Sequence, residues 1–338
     1  MSSPVDDNAA TLDCLDRQMI HALQVDGRAA FRRIAAVLGV SEQTVARRYR
    51  RLHGSGFLRV LGRLDPHRQG GTEWLIRVQA RPNSARALAD TIASYPQAVW
   101  VGLTAGGSEL VCTVRAPGED GRNEILLERL PRTAQVLTIR SYAVLHRFDV
   151  GQLYWSGYPD LLDSDQVAAL APARATTTPG PLRKGDEVLL HALAADGRRA
   201  YADLAAHTNW PRSRVVTRIA ELRDSGALYF EVEFSPRIMG FQTTAYLWLN
   251  VTPSQLDSTG HALAEHPETA WVAAVAGPEN LVAVVIVRTH DELYRYINHR
   301  IGALQGVHTT EISLQLHQVK QADSLSNGDR LTALTPTS

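Results

Sequence analysis

Four arginines crowd one short stretch of this 338-residue chain. Arg47, Arg48, Arg50 and Arg51 lie together, with Gln43 and Thr44 just before them and Glu42 as the one nearby acid. Guanidinium groups at this density suit phosphate oxygens and base edges. Residues 16–63 hold ten arginines and three acids, although the whole chain has a formal net charge of zero. Other chemistries find little to work with. The chain has no nucleophile elbow, phosphate loop or His-x-x-x-His pair, and Gly106-Gly107 is too short for a dinucleotide fingerprint. His266, His290, His299, His308 and His317 are scattered without metal-ligand spacing. Cys14 and Cys112 are too few for a disulfide framework or a cysteine-rich metal site, and they suggest a reducing cytoplasm. No catalytic residue, metal or cofactor is expected.

The elements that would carry the arginines are legible. Residues 16–25 have helical spacing at Leu15, Met19, Ile20 and Leu23, and Asp26-Gly27 ends them. Residues 30–38 form a second amphipathic helix, stopped at Gly39. Ser41 suits the N-cap of a third, whose apolar face is Val45, Tyr49 and Leu52. After Gly56, residues 57–64 alternate as a strand. Three short helices and a strand make a winged helix-turn-helix. A three-helix bundle without a ligand has the same outline, but it leaves the basic third helix unexplained.

The chain then repeats itself. An offset of 170 lays residues 16–66 on 186–236 with 17 identities in 51 positions, where chance gives about three or four. Asp26-Gly27-Arg28 falls on Asp196-Gly197-Arg198, and Ser55-Gly56 on Ser225-Gly226. An offset of 171 lays Trp100 on Trp271 and Gly106 on Gly277. Such a long period implies a duplicated module, not a solenoid. The second copy holds six arginines and eight acids over 186–233, with Trp210-Pro211 replacing Val40-Ser41 at the turn. Its strand carries Glu231 and Glu233, so its wing is expected to repel phosphate.

Between and after these segments the pattern reads βαββαβ twice. The first set is strand 74–80, helix 85–95, strands 99–104 and 109–115, helix 123–130 and strand 136–148. The second is 244–251, 255–266, 271–276, 280–288, 291–302 and 307–319. The expected fold class is α+β, with two winged helix-turn-helix domains (12–66, 182–236) alternating with two ferredoxin-like βαββαβ domains (72–148, 242–320). A linker spans 149–181, and 321–338 is expected as a flexible tail. Each four-stranded sheet needs cover on one face, which a second copy would supply. The polar opening residues carry no signal peptide, and the longest apolar run, 272–287, is broken at Gly277-Pro278-Glu279-Asn280, so no membrane partner is expected.

The joined pattern resembles the Lrp/AsnC family of transcription regulators. The residues that carry it are Leu15-Asp16, Asp26-Gly27-Arg28, Ile34-Ala35 with Leu38-Gly39-Val40-Ser41, Val45, Arg48 and Leu52, Ser55-Gly56, Leu64-Asp65-Pro66 and Gly70. The resemblance covers almost the whole chain as two regulators in tandem. It implies a cytoplasmic, homo-oligomeric transcription regulator that binds double-stranded DNA and answers to an amino acid or related small metabolite. The DNA-facing candidates are Ser41, Gln43, Thr44, Arg47, Arg48, Arg50 and Arg51, with Arg212, Arg214 and Arg218 in the copy. Gln43, Thr44 and Arg47 should reach base edges, and Arg50 and Arg51 phosphates. The family's effector turn reads Gly-x-x-Asp. Here it is Gly106-Gly107-Ser108-Glu109 and Gly277-Pro278-Glu279-Asn280, neither with the Asp. A sirohaem-decarboxylase-like enzyme on the same scaffold is the alternative, but its Trp, Tyr and adjacent His are missing at 277–281.

Overall fold

The computed structural model describes residues 12–64, 72–81, 83–116, 134–148, 161–172, 182–322 and 324–333. Local chemistry starts each element of the first module. Asp13 caps α1 (Cys14–Val25) in a reciprocal capping box with Asp16. α2 (Phe31–Leu38) stops at Gly39, whose φ of 66° is left-handed. Ser41 accepts from the Thr44 amide and opens α3 (Glu42–Gly54). β1 (Arg59–Leu64) follows. The first α/β unit contains β2 (Thr72–Ala80), α4 (Ala85–Ala93), β3 (Ala98–Thr104), β4 (Glu109–Ala116) and β5 (Val136–Arg147). The helix expected over 123–130 lies outside the described residues.

The stretch expected as linker contains a helix, α5 (Ser164–Leu170), opened by an Asp163–Gln166 capping box. It docks on the first helix-turn-helix. Arg33 donates to the Ala169 carbonyl at 2.6 Å, Gln166 to the Val37 carbonyl at 3.0 Å, and Leu162 and Leu170 are buried.

The second module repeats the first with α6 (Asp186–Ala195), α7 (Tyr201–Thr208), α8 (Arg212–Asp224) and β6 (Leu228–Glu233). Asn209 takes the left-handed position that Gly39 holds in the first copy, and Pro211 offers α8 no side-chain cap. β7 (Thr243–Val251), α9 (Leu256–Ala264), β8 (Thr269–Ala276), β9 (Leu281–Val287), α10 (His290–His299) and β10 (Val307–Gln321) complete the second α/β unit.

The two units form one closed ring of eight strands. Their last strands are shared. β5 pairs with β2 through Val136–Ala143, then with β8 through Ala143–Arg147. β10 pairs with β7 through Val307–Leu314, then with β3 from Gln315 to Gln321. The inner faces bury Leu75, Val111, Tyr142, Tyr246, Trp248 and Val282 against one another. Closure leaves the eight strands no exposed edge along the ring. α4 covers the outer face of the first sheet, and α9 and α10 that of the second.

Part of the expected flexible tail is structured. β11 (Ser324–Asn327) and β12 (Arg330–Ala333) form a hairpin that extends β10. The Leu331 amide donates to the Gly56 carbonyl at 2.7 Å, and Arg330 lies over the Phe57 ring. The tail is therefore tied to the first helix-turn-helix.

The wings differ from expectation. β1 and β6 pair antiparallel with each other, Leu61 opposite Glu231 and Arg59 opposite Glu233. Glu231 faces the Arg63 guanidinium at 3.4 Å. Glu233 is fully buried and accepts from the Ser324 hydroxyl, which itself accepts from Arg59 at 2.5 Å. These glutamates do not form an exposed wing that would repel phosphate. Arg63 of the first copy meets Glu231 directly, and Arg59 is linked to Glu233 through Ser324.

Candidate nucleic-acid interface and effector turns

The two helix-turn-helix domains clasp each other through the Asp-Gly-Arg repeat. Arg28 donates to the Gly197 carbonyl at 2.6 Å and to the Arg199 carbonyl at 3.2 Å. Arg198 donates to the Gly27 carbonyl at 2.6 Å and to the Ala29 carbonyl at 2.9 Å. Arg28 also lies over the Tyr201 ring, and Arg198 over Phe31 and Tyr49. The glycines let the backbones approach. A Cβ on Gly27 would sit 2.7 Å from the Phe230 Cβ, and one on Gly197 2.9 Å from Leu61 and Val60 backbone atoms. Asp26 and Asp196 each hold the amide two residues on. In sequence the motif reads as a helix stop, a repeat marker and a family signature, but not as a contact between the two copies.

The arginines of α3 divide into two groups. Ser41, Gln43, Arg47 and Arg50 are exposed, and Thr44 is half-buried beneath the Ser41 cap. Arg48 turns inward. Its guanidinium meets Asp13 at 2.6 Å and Asp16 at 2.9 Å, and the Asp16 side chain is only 1% exposed. Arg51 reaches the other Asp16 oxygen at 2.5 Å, but remains half exposed. The copy repeats the inward contact. Arg218 is buried, bonds both Asp186 oxygens at 2.9 and 2.6 Å, and meets Glu221 at 2.8 Å. Burial alone would raise the Asp186 carboxyl, but the Arg218 hydrogen bonds hold it below the ordinary range. The expectation that Arg48 and Arg218 face DNA is corrected, because both fasten the third helix of their domain to the first. Arg212 and Arg214 are exposed, with Arg214 4.0 Å above the Trp210 ring.

The two candidate effector turns carry internal contacts. Glu109 accepts from Arg77 at 2.9 Å and from Thr104 at 2.9 Å. Arg77 also pairs with Glu311 and covers the Trp248 ring. Ser108 bonds the Ala105 carbonyl, while nothing crowds Gly106. In the second turn, Asn280 accepts from the Val251 amide at 2.9 Å and donates to its carbonyl at 2.7 Å. Buried Glu279 accepts from the Tyr142 hydroxyl at 2.5 Å. Burial, then this carboxylate, pushes the Tyr142 phenol up to about 12. A Cβ on Gly277 would lie 2.3 Å from the Tyr142 ring, whereas Pro278 is exposed. Glu109, Glu279 and Asn280 are the polar effector candidates of these turns. In the fold each holds a neighbouring strand.

The AsnC-type helix-turn-helix domain model matches residues 12–53 and again 184–223, and the Lrp/AsnC ligand binding domain model matches residues 244–325. The HTH-type transcriptional regulator FL11 of Pyrococcus horikoshii is 31% identical over 146 residues, which is 43% of this chain and 96% of that protein. The chain belongs to the Lrp/AsnC family of transcriptional regulators. An uncharacterised HTH-type regulator of Pyrococcus furiosus is 31% identical over 130 residues, 38% of this chain and 88% of its own length. Relatives of this kind are thus matched almost whole by less than half of this Lrp/AsnC chain. Among solved structures, the siroheme decarboxylase NirDL has a TM-score of 0.62 at 13% identity, covering 92% of this chain and 93% of that one. At that identity the likeness extends to the fold alone. Among the described residues, no helix of this regulator is long and apolar enough to cross a membrane.

Proposed function

We propose that this chain is two fused regulator modules acting as one dimer-equivalent, which binds double-stranded DNA sequence-specifically and answers to an amino acid or related small metabolite. The observation that carries the DNA reading is the division of α3. Arg47 and Arg50 stay exposed beside Gln43, while Arg48 is held by Asp13 and Asp16. An outward row of this kind suits base edges and phosphates. The Arg28–Arg198 clasp supports the pseudo-dimer, because it holds two helix-turn-helix domains together within one chain. In the copy, Arg212 and Arg214 are the outward cations.

The reading as a regulator and not an enzyme draws on the names of the relatives. A homodimer or higher oligomer is part of the proposal. Leu137, Leu145, Leu314 and Leu316 remain exposed on the shared strands β5 and β10, where further chains could meet. The deciding experiment is selection of bound duplexes from random DNA with the full chain, then with Arg47→Ala. An enriched motif that Arg47→Ala relaxes supports the reading. No enrichment by the wild type, at low salt as well as physiological salt, would refute it.

A further inference from the structure

A cavity of about 410 Å³ lies where the barrel meets the helix-turn-helix pair. Trp100 and its counterpart Trp271 both line it, as do Leu75 and its counterpart Tyr246. The cavity therefore straddles the internal two-fold. Its walls are not alike. Glu73 and Arg115 of the first module correspond to Thr244 and Ile286 of the second, and Arg147 corresponds to Gln318. A true homodimer repeats every charge on both sides of such an axis. A fused pair is free of that constraint.

The polar wall has a definite arrangement. The Glu73 side chain is 1% exposed and accepts from Arg115 Nε at 3.1 Å. The Arg147 guanidinium lies 3.9 Å from the same oxygen and is 40% exposed. Two guanidiniums thus share one carboxylate. The other wall carboxylates have arginines of their own, Arg63 for Glu231 at 3.4 Å and Arg237 for Asp329 at 3.2 Å. Phe241, Trp271, Val284 and Ile286 supply an apolar part of the same wall.

We propose that this cavity, and not the β-turns, is the effector site, and that it takes a small carboxylic acid with an aromatic or branched aliphatic body. The volume suits a small organic ligand. The carboxylate meets the exposed fork of Arg147 beside Arg115, a charge-assisted geometry. The body lies among the tryptophans and Ile286, where apolar burial and ring stacking favour it. Occupancy is felt by the DNA-binding half because Glu231, Val232 and Phe234 line the cavity and β6 pairs with β1. That consequence rests on the effector-responsive reading above, whereas the binding itself does not.

The test titrates the full chain without DNA, by calorimetry and tryptophan fluorescence. The probes are indole-3-acetate, phenylpyruvate, L-phenylalanine and L-leucine, with indole as the uncharged control. At least one acid should bind saturably and perturb tryptophan emission. Arg147→Gln, a substitution at a half-exposed site, should weaken that acid about tenfold or more with an unchanged circular dichroism spectrum. Ile286→Glu, which adds a negative charge to the apolar wall, should weaken it further. The proposal is overturned if no acid binds up to about 10 mM, if indole binds as tightly as indole-3-acetate, or if Arg147→Gln leaves the Kd unchanged. An acid that obeys these variants yet leaves DNA affinity untouched upholds the site and sinks the effector reading. An acid that shifts DNA affinity but binds Arg147→Gln normally upholds the regulator and sinks this site.

Discussion

Arg28 donates to the carbonyl of Gly197 at 2.6 Å, and 170 residues along the chain Arg198 donates to the carbonyl of Gly27 at the same distance. This reciprocal pair ties the two domains to each other. Each guanidinium satisfies two carbonyls and stacks on aromatic rings of the other copy. Under the proposed DNA-binding function, holding the two domains in one geometry lowers the ordering cost of binding both to one duplex.

Breaking the clasp should therefore cost DNA affinity without touching a DNA-facing residue. Arg28→Ala with Arg198→Ala leaves four backbone carbonyls short of a partner, at about 1 kcal/mol or more for each lost charged bond. Gel shifts should show weaker binding to a two-site operator and little change on an isolated half-site. Equal losses on both substrates would mean that the clasp serves only stability.

Neighbouring arginines on α3 should behave oppositely. Arg47→Ala should relax sequence choice and cost about 1–3 kcal/mol of binding, roughly five- to 150-fold, with the melting temperature unchanged. Arg48→Ala should lower the melting temperature instead, because it strips a partner from a carboxylate that is only 1% exposed. Paired thermal melts and salt-matched titrations check both. A specificity change in folded Arg48→Ala would contradict the assignment.

Glu233 gives a pH prediction. Burial, then the neighbouring Glu231 charge, raises its carboxyl to about 8, against the pull of Arg63, Ser324 and Arg59. The folded state thus keeps a proton that the unfolded chain releases near its ordinary value of 4.5. Stability from this group is full below about pH 4.5 and falls as pH rises to about 8, by an amount on the order of a few kcal/mol. Glu233→Gln should flatten that decline. Melting temperature followed from pH 5 to 9 is the measurement, and parallel wild-type and variant curves would refute the prediction.

The C-terminal hairpin should act on the opposite end of the chain. Deleting residues 322–338 removes Ser324 from Glu233 and Arg59, buried Leu331 from Gly56, and Arg330 from Phe57. Amide exchange should rise around residues 55–64 and less over 85–93, because local opening follows lost local contacts. Uniform exchange change across both would speak against a specific docking role.

Much of this protein follows from local rules that sequence exposes. Asp13 with Asp16, Gly39 and Ser41 fix where helices begin and end, since caps act within one turn. Alternation marks the strands up to β10 but not the hairpin β11–β12, and the offset of 170 marks the repeat. The repeat also held an unread signal. Arg48 and Arg218 coincide, as do Asp16 and Asp186, whereas Arg47 falls on Thr217 and Arg50 on Ala220. The shared positions are the buried ion pairs, and the divergent ones face outward. Tertiary structure alone decided the rest. The pairing of β1 with β6, the exchange of β5 and β10 between sheets, and the cavity lined by both Arg147 and Ile286 join residues far apart in sequence, from Arg147 with Ala273 to Gln321 with Trp100. Periodicity describes which face of an element is apolar, but not which distant face will cover it. That choice is made by packing and charge pairing in the assembled chain, which is why Glu231 and Glu233 read as an exposed acidic wing in sequence but in the fold lie buried, one against Arg63 and the other against Ser324.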